Sequence, residues 1–113
     1  MQILNNMPED LTEKAVSLED AGISGYAWHL PEAKKVLHWL EEQHYTVLGG
    51  DLYLYIRNRG VVYPLRENWY FKPEEGASSP EKQSIKQSRE YLEKFEKHPL
   101  SVDIIVDFVV ESR

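Results

Sequence analysis

The chain has 113 residues, no cysteine and a formal net charge of −6. A length of this order predicts one domain, residues 1–113, that buries a single core without cross-links. The absence of cysteine excludes disulfides, thiolate zinc sites and a cysteine nucleophile, and it is typical of proteins in a reducing compartment.

The acidic balance restricts the classes of partner. A sequence pI of about 5.2 disfavours nucleic acid, whose phosphates repel an acidic domain, and favours a partner with a basic protein surface. No apolar run reaches the roughly 20 residues of a membrane span, and the first seven residues do not resemble a signal peptide. These features predict a soluble cytoplasmic protein without nucleic-acid or membrane partners.

Two helices are predicted in the first third of the chain. Pro8 lies in the first turn of the first helix, and Gly22 and Gly25 end it. The apolar face of this helix consists of Leu11, Ala15 and Leu18. Pro31 opens the second helix. The spacing predicts that its buried stripe consists of Ala33, Val36, Leu37 and Leu40, with Trp39 beside it.

A hairpin is predicted after Thr46, where the apolar period changes from helical to alternating. One side of its first strand carries Leu52, Leu54 and Ile56, and the other carries Tyr53, Tyr55 and Arg57. Residues 58–60 form the turn, and residues 61–65 return as a strand, in which Pro64 indicates either a sheet edge or the end of the strand. A further short strand is predicted over residues 68–72.

A long helix and a strand are predicted in the C-terminal part. The helix follows a loop over residues 72–80, and it begins either with a capping box from Ser78 to Glu81 or with Ser79 as the cap before Pro80. Pro99 ends this helix, whose apolar stripe consists of Ile85, Ser88, Leu92 and Phe95. Residues 101–111 alternate as one central strand, whose apolar face consists of Val102, Ile104, Val106, Phe108 and Val110.

The element order is α-α-β-β-(β)-α-β, which predicts an α+β fold. Helices are expected on one face of a mostly antiparallel sheet. If both aliphatic strand faces turn toward the helices, the opposite face carries Tyr53, Tyr55, Asp103 and Asp107. Tyrosines beside carboxylates suit a basic partner, and the alternative is that Arg57 and Lys72 neutralise the aspartates within the sheet.

Few residues suggest catalysis or metal binding. His38 and His44 are six residues apart and so lie on different faces of a helix, and His29 and His98 are expected at the surface or in loops. The string Gly49-Gly50-Asp51 lacks the Lys-Ser/Thr of a phosphate-binding loop, so we interpret its glycines as a bulge or backbone crossing. We expect no enzyme activity, no metal and no cofactor.

Asp51 and the tryptophans each allow two interpretations. Asp51 either bonds back to its own turn or is held rigidly for binding. Trp39 is expected in the core, whereas Trp28 and Trp69 lie near strand or loop ends and are either core residues or interface anchors.

Four strings together resemble a bacterial immunity-protein family of polymorphic toxin systems, the fortieth in its numbered series. They are Gly25-Tyr26-Ala27-Trp28, Tyr45-Thr46-Val47-Leu48-Gly49-Gly50-Asp51-Leu52-Tyr53, Asn68-Trp69-Tyr70, and Ser88 with Tyr91-Leu92. The likeness covers roughly residues 22–110, and its most specific part is the Leu-Gly-Gly-Asp string followed by Asn-Trp-Tyr.

The resemblance implies a cytoplasmic antidote that binds and blocks a toxin and has no catalysis of its own. If the motif residues mediate binding, the positions to carry over are Asp51, Asn68 and Trp69. Two other classes stay open: a small binding or scaffold module that self-associates through a sheet edge, and a minor enzyme with an acid and histidine pair.

Overall fold

The computed structural model describes residues 6–56, 58–76 and 79–111. These ranges contain three helices, α1 (Glu9–Thr12), α2 (Leu30–Glu42) and α3 (Pro80–Glu93). They also contain six strands: β1 (Val16–Ser17), β2 (Tyr26–His29), β3 (Thr46–Ile56), β4 (Val61–Tyr70), β5 (Ile104–Val106) and β6 (Val109–Glu111). Short 3₁₀ turns occupy Glu19–Ala21 and Ser101–Asp103. None of the described helices is long and apolar enough to cross a membrane.

The strands form one antiparallel sheet in the order β1-β2-β5-β3-β4, and β6 pairs with β3 beyond the end of β5. β5 therefore has the central position expected for the C-terminal strand, and β4 is at the edge that Pro64 indicated. The predicted α+β class with an antiparallel sheet is confirmed.

The main core lies between the sheet and the two long helices. The predicted stripe of α2 is fully buried, and α3 contributes Ile85, Ser88 and Leu92. Ser79 caps α3 by accepting a hydrogen bond from the Lys82 N–H, and the alternative cap at Ser78 lies outside the described residues. α3 ends at Glu93, and turns rather than helix continue toward Pro99.

The first predicted helix is wrong in length. α1 has only four residues, and the chain then extends so that Val16 pairs with Ala27 of β2. Leu11 lies in the core under the helices, whereas Leu18 lies in a second core on the other side of the sheet. Strand pairing at long range outweighs the local helical period here, and Gly22, at φ 75°, lets the chain turn back.

The hairpin is longer than predicted. The residues expected as a separate short strand from Asn68 onward are the end of β4, which pairs with β3 as far as Tyr70. A register shift makes this possible: Leu52 pairs with Glu67 and Tyr53 pairs with Pro64, so Leu65 and Arg66 form an insertion in β4. The turn is as predicted, with Gly60 at φ 62°, and Arg57 lies outside the described residues.

The C-terminal segment is not one strand of eleven residues. It forms a 3₁₀ turn, then β5, then a break at Asp107 and Phe108, then β6. The alternation survives where the strands pair, because Ile104 and Val106 are fully buried on the helix side. Val102, expected on the same apolar face, belongs to the turn and is 69% exposed.

The sheet face opposite the helices is covered at one end. A second core lies there, formed by Leu18, Ala27, Tyr53, Val62 and Ile105, with side chains of the segment 16–23 packed against it. Tyr53 is only 4% exposed, so the expectation of an open face with a free Tyr53 is wrong at this end. Leu18 explains the difference, because it leaves the predicted helix and closes this face.

Two close approaches explain the glycine pair in β3. A Cβ atom on Gly50 would lie 2.2 Å from the Asp107 carbonyl oxygen and 2.5 Å from the Trp69 ring. Gly49 has φ 154°, and a Cβ atom there would lie 2.2 Å from the Trp69 carbonyl oxygen. The interpretation of these glycines as a backbone crossing is confirmed, and a bulge against β6 accompanies it.

We predict that Gly50→Ala lowers the free energy of unfolding by about 3 kcal/mol, near the upper end for overpacked sites. Gly60→Ala is the control, because no atom lies within 4 Å of its added Cβ and only the positive φ costs energy, about 1 kcal/mol. Urea denaturation of the two variants measures the difference. A loss for Gly50→Ala no larger than for Gly60→Ala would contradict the crossing.

Candidate functional site

The two most specific motif strings lie side by side in the sheet. Gly49 pairs with Tyr70, Gly50 with Trp69, and Asp51 with Asn68 across β3 and β4. Residues separated by some twenty positions in the sequence therefore form one continuous site.

Trp69 is a core residue. Its side chain is 6% exposed, it stacks on Tyr91 with ring centroids 5.1 Å apart, and it meets Phe108 edge-on at 6.0 Å. The packing interpretation also holds for Trp28 and Trp39, which are 2% and 8% exposed. The rings of all three therefore lie inside the fold.

Small polar residues of α3 satisfy the buried donors beneath this site. The Trp69 Nε1–H donates to Ser88 Oγ at 2.9 Å, and the Ser88 hydroxyl donates to the Ser84 carbonyl at 2.8 Å. Ser84 Oγ in turn accepts from the Val47 N–H at 2.9 Å. Serines occur on the apolar face of α3 because a buried donor without a partner is costly.

We predict that Ser88→Ala lowers the free energy of unfolding by about 1–3 kcal/mol, because it leaves the buried Trp69 Nε1–H without an acceptor. Trp69→Phe removes the same donor. The loss caused by Ser88→Ala should therefore be smaller in the Trp69→Phe background, as a double-mutant cycle by chemical denaturation would show. Additive losses would mean that the hydrogen bond contributes nothing.

Asp107, in the break between β5 and β6, is bonded to two residues of β3 through one carboxylate. Its Oδ1 accepts from the Asp51 N–H at 2.7 Å, and its Oδ2 accepts from the Tyr53 hydroxyl at 3.2 Å. Its own N–H donates to the Asp51 carbonyl at 3.1 Å. The carboxylate thus supplies a partner for a β3 N–H where the pairing with β5 has ended.

Burial changes the proton affinities of this cluster. It raises the pKa of Asp107, and the nearby charge of Asp51 acts in the same direction, while the hydrogen bonds to Asp107 oppose both. Burial also raises the pKa of Tyr53 far above its usual value, helped by the charges of Asp107 and Asp51. Tyr53 therefore remains a neutral hydrogen-bond donor at physiological pH.

We predict different effects on stability for two substitutions of Asp107. Asp107→Ala removes the acceptor of the Asp51 N–H and should cost about 1–3 kcal/mol at pH 7. Asp107→Asn retains a carbonyl acceptor and should be near wild type at pH 7. Asp103→Ala is the control, expected within about 0.5 kcal/mol.

The pH dependence of stability separates these variants further. A raised folded-state pKa means that the folded protein binds the proton more tightly than the unfolded chain does. The wild type should therefore lose stability relative to Asp107→Asn as pH rises from about 4 through the raised pKa of Asp107. Denaturation curves across this window measure it, and a constant difference would contradict the burial of the carboxylate.

The remaining predicted residues are dispersed around this cluster. Asn68 is exposed beside Asp51. Tyr55 is half-buried and meets the His29 ring edge-on at 6.0 Å. Asp103 ends the turn before β5, four residues and about 13 Å along the strand from Asp107. The two aspartates therefore do not form a single charged pair.

Three exposed apolar side chains were missed as candidates. Tyr70, Val109 and Leu48 are 72%, 51% and 37% exposed. The signal for Tyr70 was its alternation with Trp69, because burial of one ring turns the other outward. Alternation had placed Val109 on the face opposite the apolar one, whereas the position of Leu48 depended on the bulge in β3, which the alternation did not reveal.

The described residues contain no group of three or more His, Asp or Glu side chains arranged to hold a metal ion. Lys72, the cation considered as a neutraliser of the aspartates, has left the sheet, because its backbone exchanges two hydrogen bonds with the Gln87 side chain on α3. Its backbone is therefore tied to α3 rather than to the aspartate cluster.

The family model described as Immunity protein 40 matches residues 17–110. The chain belongs to this family. Both motif strings lie inside the matched range, and in this Immunity protein 40 member their glycines and tryptophan hold the strand pair against α3. No curated protein and no solved structure matches the chain.

Proposed function

We propose that this protein is a non-catalytic immunity protein that binds and neutralises a toxin domain of a bacterial polymorphic toxin system in the cytoplasm. The observation that carries the proposal is the family match over residues 17–110. We further propose that residues 1–113 act as one immunity domain.

The charge of the chain supports a toxin with a basic surface. The net charge is −6, so a basic partner is attracted at long range, whereas nucleic acid and anionic membrane surfaces are repelled. Asp51, Asp103 and Asp107 contribute to this field from the sheet. Binding in this arrangement depends on salt mainly through the rate of association.

The seven residues proposed for toxin binding fall into three groups. Asn68, exposed beside Asp51, and the Asp51–Asp107 pair belong to the surface that faces the toxin. Trp69 is buried and anchors β4 from the helix side, Tyr53 is buried on the same face as Asp51 and donates to Asp107, and Tyr55 and Asp103 lie toward the other end of the strands.

The absence of catalysis is supported by how the polar groups are used. The carboxylate of Asp107 holds a backbone N–H and a tyrosine hydroxyl, and the hydroxyls of Ser84 and Ser88 donate to backbone carbonyls. These groups maintain the fold, so neutralisation by this protein is a matter of occupying the toxin.

We predict that neutralisation is stoichiometric. Purified protein should be titrated into the cognate toxin domain, sought as the C-terminal domain of a large protein encoded by the neighbouring upstream reading frame, and residual toxin activity should end at one equivalent. Raising salt from about 50 to 500 mM should slow association several-fold, since exposed charges are screened.

An unrelated acidic domain of similar size is the control for non-specific charge effects. Complete inactivation of the toxin at a small fraction of one equivalent would indicate an enzyme. No protection at any ratio, in the titration and in cells that express the toxin domain, would overturn the proposed function.

A further inference from the structure

One end of the helix-free sheet face carries a row of apolar side chains. Gly49 of β3 pairs with Tyr70 of β4 on one side and with Val109 of β6 on the other. Paired residues in a sheet project to the same face. Because Gly49 has no side chain, no side chain of β3 projects between Tyr70 and Val109 at this position.

The bulge in β3 adds a third side chain to this row. Val47 pairs with Val110 and Gly49 pairs with Val109, so Leu48 is the extra residue on β3. Val47 is buried under α3, and alternation turns Leu48 to the other face. We call Leu48, Tyr70 and Val109 the open patch.

The open patch is the uncovered part of a face that is elsewhere closed. The segment 16–23 covers the end near Tyr53, about four residues along β3 from Gly49. Tyr70 retains 72% of its accessible surface and Val109 retains 51%. Contiguous exposed apolar side chains of this kind are characteristic of protein interaction sites.

Acidic and polar groups lie on two sides of the open patch, and Lys72 and Lys94 lie near Tyr70 on the side of α3. Asn68 and Asp51 form the next pair along β3 and β4, and Asp107 is bonded to Asp51. On the other side Glu111, two residues beyond Val109 in β6, projects to the same face and is exposed. An apolar centre with an acidic rim complements an apolar side chain flanked by arginine or lysine.

The scaffold beneath the patch is rigid. Trp69 precedes Tyr70 and is fixed by a hydrogen bond and by stacking on Tyr91. Tyr70 is therefore presented from a strand that Trp69 anchors to α3, and such anchoring reduces the entropy lost on binding. A tyrosine held in this way is typical of the residues that dominate interface energies.

We propose that the open patch is the surface that receives a basic, apolar-centred face of the toxin domain, with Tyr70 as its central contact. This inference rests on the proposed function and specifies its site. A second copy of the chain is a poorer occupant, because two domains of net charge −6 repel each other. Edge pairing through β4 is also interrupted by Pro64 and the insertion at Leu65 and Arg66.

The experiment compares two tyrosines of the same strand. Tyr63, also in β4, is 48% exposed and is separated from Tyr70 by the insertion. Binding of Tyr70→Ala and Tyr63→Ala to the upstream-encoded C-terminal toxin domain is measured by calorimetry and by surface kinetics. We expect Tyr70→Ala to weaken binding at least tenfold, mainly by faster dissociation, and Tyr63→Ala to change it less than twofold.

Two charge-reversal variants, one on the acidic rim and one away from it, test the rim in the same way. Glu111→Lys should weaken binding several-fold and reduce the salt dependence of association, whereas Glu93→Lys, at an exposed position that ends α3, should do neither. Thermal melts of all four variants show whether they remain folded. Val109→Ser provides a second loss of apolar contact if Tyr70→Ala is not folded.

The possible results of these experiments distinguish a failure of the open patch from a failure of the proposed function. Wild-type protection combined with full binding by folded Tyr70→Ala and Val109→Ser would overturn the open patch and leave the proposed function intact. No binding by the wild type would overturn both. A wild-type dimer in sedimentation equilibrium that Tyr70→Ala dissociates would assign the patch to a second copy and overturn the toxin as its occupant.

Discussion

The Trp69 ring lies against the bare backbone of Gly50, and the packing of the long strand pair on α3 depends on this contact. An added Cβ at Gly50 would lie 2.5 Å from the ring, so only glycine lets the indole reach Ser88. The ring then stacks on Tyr91, and the backbone of β3 bonds to Ser84. Burial of one side of β4 in this way turns the neighbouring Tyr70 outward. The packing of Trp69 on the helix side of the sheet therefore leaves Tyr70 exposed on the opposite face.

Asp107 is the second residue whose close approach to Gly50 shapes this part of the sheet. Asp107 lies in the break between β5 and β6, and its carbonyl oxygen occupies the space that a Cβ atom on Gly50 would take. The carboxylate of Asp107 compensates the β3 N–H at the break by accepting its hydrogen bond. Val110 packs toward the core under the helices, so alternation places Val109 on the helix-free face beside Gly49. Gly50 thus leaves room for both the Trp69 ring and the Asp107 carbonyl next to the positions that present Tyr70 and Val109.

The two ends of the helix-free face therefore differ in burial. The end near Tyr53 is closed by Leu18 and stabilises the fold, and burial accounts for the raised pKa of the tyrosine. The other end keeps its apolar side chains in solvent beside carboxylates. In the proposed interface, Tyr70 contacts the toxin from the same strand whose Trp69 packs into the core, so that a substitution of Tyr70 can change binding without loss of the core contacts of Trp69.

The sequence by itself determined the features that depend on local period and turn chemistry. These include the buried stripe of α2, the alternation of Leu52 and Leu54 with Tyr53 and Tyr55, the turn at Gly60, the glycine crossing, and the α+β class. Only the tertiary structure decided which face Leu18 covers, where the C-terminal segment breaks, and whether Asp107 is a free charge. These depend on contacts such as Val16 with Ala27 and Asp107 with Asp51, which join residues 11 and 56 positions apart. Alternation assigns a side chain to one of two faces, but whether that face is covered depends on where distant segments pack.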